Sequence, residues 1–129
     1  MTIAPLQATI LIVDDDEAVT KTFERVLTHH GYRALVALNA EDALRVLDQN
    51  RPDALIVDLR MPLIDGLGLL YRVRSREAQQ HIPALIITGD TALSKEILDE
   101  IAALGAKVLY KPIEATTLLD EMRTLLKAN

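Results

Sequence analysis

Ile10–Val19 reads ILIVDDDEAV. Four apolar residues run unbroken, three aspartates and a glutamate follow, and a helix-compatible stretch begins at once. An apolar run without alternation suits a strand covered on both faces, the habit of parallel sheets. Parallel strands need a crossover between them, usually a helix, and the acidic residues stand where one would start. Adjacent carboxylates repel one another, so three in a row call for a compensating partner.

The same grammar recurs along the chain. Thr9–Val13 (TILIV), Ala34–Ala37, Ala54–Val57 (ALIV), Ala84–Thr88 (ALIIT) and Val108–Tyr110 (VLY) read as five strands. Five helical patterns follow them. Glu17–His30 places Val19, Phe23, Val26, Leu27 and His30 on one side, and Ala40–Gln49 starts after Asn39, a good N-cap, with Asp42 three residues on. Leu67–Arg76 is the third. Leu93–Leu104 carries Leu93, Ile97, Ile101 and Leu104 at helical spacing, with Gly105 as its stop, and Ala115–Lys127 buries Leu118, Leu119, Met122, Leu125 and Leu126. Pro52, Pro62, Pro83 and Pro112 all fall in connections, where proline is tolerated. The order is therefore βα five times. Right-handed crossovers put helices on both sheet faces, giving an α/β, doubly wound, five-stranded parallel fold.

At 129 residues the chain reads as one domain over residues 9–127, preceded by a short tail at 1–8. Half of the residues are apolar, which suits a globular core. No apolar stretch approaches the ~18 residues of a membrane span. The start, MTIAPLQAT, lacks the basic region and apolar core of a secretory signal, and there is no cysteine. These features fit a cytoplasmic protein. A net charge of −5 and 3% aromatic residues argue against direct binding to nucleic acid, which needs a basic face or stacking platforms.

Doubly wound sheets bind ligands at the carboxyl ends of their strands. There the sequence places Asp14, Asp15 and Asp16, then Asp58, then Thr88-Gly89-Asp90, then Lys111-Pro112. Any one of these is ordinary as a cap, a turn residue or a solvated side chain; four at four strand ends point to a site. Lys111 alone cannot neutralise three carboxylates. A hard divalent cation with oxygen ligands, magnesium (Mg2+), meets the need. Metal, ammonium and hydroxyl together suit a phosphoryl group, and Asp58, on a central strand facing the cluster, is the best placed nucleophile.

These motifs, VDDD, VDLRMPLIDG, ITGD and YKPI, resemble the receiver domain of two-component response regulators, over residues 9 to 127. The resemblance implies a flavodoxin-like strand order 2-1-3-4-5. It implies Asp58 as phosphoacceptor and Mg2+ ligand, Asp15 as a direct Mg2+ ligand, Asp14 acting largely through water, and the Arg60 carbonyl as the third protein ligand. Thr88 matches the switch hydroxyl, Lys111 contacts the phosphoryl group, and the Lys111–Pro112 bond is expected to be cis. Met61, Pro62 and Gly66 match the loop and turn that enter the third helix. Arg60 and Asp90 occupy positions that tune phosphoryl lifetime, as a screen, as a lid pair, or as two solvated side chains. The implied partners are a sensor histidine kinase or a histidine phosphotransfer protein. The implied output surface is the fourth helix, fifth strand and fifth helix, which could also form a homodimer face; the oligomeric state stays open. The domain is a switch that catalyses its own phosphorylation and dephosphorylation rather than a turnover enzyme.

One departure stands out. The family usually places Tyr or Phe three residues before the lysine, where this chain has Val108. Tyr110 either substitutes for that aromatic or packs under the fourth helix, leaving the step absent.

Two other readings compete. Asp14-x-Asp16 also suits a haloacid-dehalogenase-type phosphatase, with Asp14 as nucleophile and Asp16 as acid/base. That family inserts a flap after the first strand, whereas here a helix follows immediately. A phosphorylation-independent interaction module is the third reading, and it would have no need of the matched site residues. Gly66-Leu67-Gly68 lacks a dinucleotide fingerprint. His29, His30 and His81 have no ligand partners at useful spacing.

Overall fold

Apolar runs form strands and periodic stretches form helices throughout the computed structural model, which describes residues 7–127. Residues 1–6 of the expected tail lie outside the described residues. The order is β1 (Thr9–Val13), α1 (Glu17–His29), β2 (Arg33–Ala37), α2 (Ala40–Gln49), β3 (Ala54–Asp58) and α3 (Gly66–Arg74). A 3-10 turn (Glu77–Gln79) follows, then β4 (Ala84–Thr88), α4 (Lys95–Ala103), β5 (Ala106–Tyr110) and α5 (Ala115–Lys127). The strands form one parallel sheet in the order β2-β1-β3-β4-β5, the flavodoxin-like arrangement.

Alternate residues of each strand feed two cores. Ile10, Ile12, Ile56, Leu85 and Ile87 pack beneath α1 and α5, against Phe23, Leu27, Leu118, Leu119 and Met122. Leu11, Val13, Leu55, Val57 and Ile86 pack beneath α2, α3 and α4, against Ala43, Leu47, Leu70, Val73 and Ile101. Every residue of β3 and β4 is buried, which is why those strands read as unbroken apolar runs. The outer strands β2 and β5 are only partly covered.

Side-chain caps set the helix starts. Asp16, Asn39, Asp65 and Ser94 accept the backbone N–H of Ala18, Asp42, Gly68 and Ile97. Ser94 explains one boundary difference: Leu93 is half-buried and fits the apolar spacing, but the helix proper starts at Lys95. β5 starts two residues earlier than its apolar run because Lys107, exposed on the sheet edge, interrupts it. α3 stops at Arg74, two residues short of its expected end; Ser75 and Arg76 lead into the 3-10 turn. That turn is held from below: the Gln79 Nε2 amide donates to the Leu47 carbonyl at 2.9 Å, and Arg74 Nε donates to the Leu104 carbonyl at 2.7 Å. The C-termini of α2 and α4 are thus both tied to the α3–β4 connection.

Candidate functional site

β1 lies between β2 and β3, so the chain leaves it first to one side and then to the other. A crevice opens at such a switch point. Strand register fills it. Val13 pairs with Val57, so Asp14 and Asp58 emerge side by side at strand ends about 4.8 Å apart. Asp58 pairs with Ile87 and Thr88 with Tyr110, which brings Thr88 and Lys111 to the same rim. The Lys111 N–H donates to the Thr88 carbonyl at 2.8 Å, extending the β4–β5 ladder by one bond. The Lys111–Pro112 bond is cis.

Asp14, Asp15 and Asp58 each offer an oxygen within 4.8 Å of the other two. Asp14 and Asp58 are buried and Asp15 is exposed. Lys111 Nζ reaches both buried members, at 3.0 Å from Asp14 Oδ2 and 3.3 Å from Asp58 Oδ1. Asp14 Oδ1 accepts the Asp16 N–H at 3.0 Å, so both of its oxygens are engaged. Asp16 stands outside the cluster: its side chain turns to the Ala18 N–H at 2.9 Å and caps α1.

Burial pushes the Asp58 carboxyl above the usual carboxylate range, the charge on Asp14 adds to the rise, and Lys111 opposes it without prevailing. Burial alone would lower the Lys111 ammonium, but the hydrogen bond and charge of Asp14, and then those of Asp58, hold it above its usual value. One ammonium therefore leaves net negative charge among three carboxylates. The donor set is all hard oxygen, partly open through Asp15, and it fits a divalent cation of the magnesium class.

Two flanking groups join across the loops of the rim. Arg60 Nη2 donates to Asp90 Oδ2 at 2.8 Å, a largely solvated ion pair between the β3–α3 and β4–α4 loops. The Asp90 backbone N–H donates to the fully buried Thr88 hydroxyl oxygen at 3.0 Å, and Asp90 Oδ1 accepts the Ala92 N–H at 2.9 Å. The Ala92 hydrogen bond, followed by the one from Arg60, holds the Asp90 carboxyl below its usual range. Thr88 is thus one hydrogen bond from the ion pair.

Val108 is half-buried beside the α2–α3–α4 core. Tyr110 does not pack beneath α4 as its simplest role required. It is 42% exposed, at the last residue of an edge strand. The histidines remain apart from the cluster; His30 caps α1 with Nδ1 2.9 Å from the Val26 carbonyl. Gly66 closes the loop after β3, where its N–H donates to the Leu59 carbonyl at 2.9 Å. Two features of this rim carry no sequence signal. One is the grip of Lys111 on Asp14. The other is Leu63, which sits exposed in the β3–α3 loop.

Among the described residues, no helix is long and apolar enough to cross a membrane. Residues 10–123 match the family model of the response regulator receiver domain. The response regulator MprA of Mycobacterium sp. (strain KMS) is 36% identical over 118 residues, which are 92% of this chain and 50% of the relative. The chain thus spans about half the length of the curated relatives it matches. Its fold superposes on the chemotaxis protein CheY4 of Vibrio cholerae with a TM-score of 0.86 at 30% identity, covering 93% of this chain and 99% of that one. It also superposes on the receiver domain of a signal transduction histidine kinase from Syntrophus aciditrophicus, with a TM-score of 0.83 at 26% identity, covering 94% of this chain and 91% of that one. With that match along nearly its whole length, and with the acidic pocket of Asp14, Asp15 and Asp58 at its carboxyl rim, the chain belongs to the response regulator receiver domain family.

Proposed function

We propose that Asp58 accepts a phosphoryl group from a phosphohistidine donor, and that the resulting charge switches a protein-binding surface. The observation that carries this reading is the convergence of three carboxylates on one ammonium at the carboxyl rim of the sheet. Membership of the receiver family implies a histidine kinase as partner, acting directly or through a histidine phosphotransfer protein. Asp58 Oδ attacks phosphorus in line, the P–N bond breaks, and imidazole leaves with the electron pair. Asp15, exposed and free of the contacts that occupy Asp14, would ligate the metal directly, together with Asp58 and the Arg60 carbonyl. Bound Mg2+ supplies neutralisation of the charge that develops on the phosphoryl oxygens. Asp14 acts from one layer further out, positioning Lys111 and the start of α1 with its two engaged oxygens.

Lys111 lies 3.3 Å from Asp58, close enough to hold a phosphoryl oxygen once one is present. Thr88 accepts the Asp90 N–H and keeps its own O–H to donate to a phosphoryl oxygen, so a shift of Thr88 toward that oxygen is passed to Asp90. Arg60 and Asp90 are assigned the tuning of how long that group survives; their ion pair between the two loops supports this role. The output surface is α4–β5–α5, which can engage a partner or a second copy of this chain. Val108 leaves no aromatic to rotate at the usual position, and Tyr110 is already exposed. The switch therefore works through the Thr88–Asp90–Arg60 hydrogen bonds rather than through an aromatic flip.

The test is direct. Acetyl phosphate with Mg2+ should add the mass of one phosphoryl group to the wild-type chain and none to Asp58→Asn. Equal labelling of the two would end this reading. Turnover of a phosphate monoester by Asp58→Asn would favour the phosphatase alternative. Neither the engagement of Asp16 as a helix cap nor the immediate start of α1 supports that alternative.

A further inference from the structure

Leu63 combines two costs with no return inside the chain. Its φ is +66°, making it the one non-glycine residue in the left-handed region among the described residues. A side chain there crowds the following carbonyl, which glycine avoids and asparagine tolerates. Its side chain is also fully in water, at 104% relative exposure. A single exposed leucine is ordinary. A leucine raised into solvent on strained backbone, next to a site, is not.

Beside it runs a groove of about 340 Å3 between the β3–α3 loop and the start of α2. Its apolar wall is Leu38, Pro62 and Ile64. The charged residues that line it, Asp15 and Glu41, are both acids. Asp15 also belongs to the carboxylate cluster, so the groove opens onto the rim where Asp58 stands.

We infer that Leu63 and this groove form a recognition surface for the phosphodonor protein. An apolar side chain near the donor's phosphohistidine packs between Leu63 and Leu38, while a lysine or arginine beside it faces Glu41. The surface deepens the phosphoacceptor reading and rests on it. Continuity through Asp15 places a partner on this groove within reach of Asp58. Charge selects the occupant: a second copy of this chain, at net −5, would bring like charge onto Glu41 and Asp15, whereas a basic segment meets complementary charge. A small phosphodonor has no side chain to pack on Leu63 and no basic group to face Glu41, so it reports the chemistry at Asp58 without the recognition.

The test compares two donors on Leu63→Gly and Leu63→Asn, which both suit the left-handed backbone. One donor is acetyl phosphate. The other is an autophosphorylated histidine kinase chosen because it labels the wild-type chain. Losing the burial of one leucine side chain should slow transfer from the kinase by about tenfold or more in both variants. Labelling by acetyl phosphate should keep the wild-type rate. Glu41→Lys should slow kinase transfer severalfold and flatten its dependence on salt. Kinase transfer within twofold of wild type in both leucine variants overturns the inference. So does an equal loss with both donors, which would make Leu63 a support of the site itself. Loss of dimer on sedimentation with kinase transfer intact would assign the surface to self-association. Failure of acetyl phosphate to label the wild type would instead remove the phosphoacceptor reading, a separate outcome.

Discussion

Replacing Gly66 by alanine should destabilise the domain although alanine is the better helix former, and replacing Gly68 by alanine two residues later should not. Both glycines lie in the first turn of α3. A Cβ at Gly66 would stand 2.3 Å from the Asp58 carbonyl oxygen and 2.9 Å from Leu59 Cα. Ordinary contact begins at 3.4 Å, so the helix and the strand end would have to separate by about 1.1 Å. Both neighbouring atoms are backbone and cannot swing aside as a rotamer. Overpacking costs about 1–3 kcal/mol, and rigid partners put this case at the upper end. The helix-propensity gain of about 1 kcal/mol offsets only part, leaving a net loss of about 2 kcal/mol. At Gly68 the nearest atoms are Ile64 Cγ2 at 3.2 Å and Asp65 Oδ1 at 3.3 Å, both side-chain ends that need yield only a few tenths of an ångström. There the propensity term wins, with a gain of roughly 0.5–1 kcal/mol. Urea unfolding with an unchanged m-value reads the difference: with m near 1–2 kcal/mol/M, the midpoint of Gly66→Ala should fall by about 1–2 M. Because the clash is with the Asp58 carbonyl, Gly66→Ala should also weaken phosphoryl labelling, and Gly68→Ala should not. Two midpoints that move in the same direction by similar amounts would refute the close approach of α3 to the end of β3.

Further outcomes follow from the rim. Asp16→Ala should cost about 0.5–2 kcal/mol of stability as a lost cap and retain labelling, whereas Asp15→Ala should abolish labelling and Asp14→Ala should weaken it strongly; intact mass and denaturant midpoints separate the three. Asp58→Asn should raise the thermal midpoint in chelator. The folded Asp58 pKa lies above its ordinary 3.8, so the native state is penalised as pH rises through that range and fully penalised above it. The gain should therefore be present at neutral pH, vanish below pH 3.8, and shrink when Mg2+ is added to the wild type. Arg60→Ala should change stability by less than about 1 kcal/mol, since its ion pair with Asp90 is solvated, yet it should shorten the lifetime of the label several-fold.

What the chain announces and what it hides divide along physical lines. β3 and β4 were legible because burial on both faces demands apolar residues at every position. Asp14, Asp15, Asp58, Thr88 and Lys111 were legible as a group because each follows a strand, and parallel strands deliver their ends to one rim. Helix starts were less so. Leu93 fits an apolar period, yet Ser94 decides where α4 begins, because periodicity reports side-chain burial and capping reports backbone hydrogen bonds. The 3-10 turn with Gln79 was invisible, since its buried amide serves the distant Leu47 carbonyl. The preference of Lys111 for Asp14 depends on side-chain reach, which spacing does not encode. Leu63 reads in sequence as one more loop leucine; only the backbone angle sets it apart.

The bond from Lys111 to Asp14 joins residues 97 positions apart. It cannot close until the fifth strand has docked, because Lys111 follows that strand directly. A chain emerging from the ribosome carries Asp14, Asp15 and Asp58 long before the one ammonium that relieves them. Until then the half-built rim holds its carboxylates without that ammonium, so a strand made after them supplies part of their counter-charge. Closure of the acidic pocket is thereby tied to docking of the sheet's edge strand.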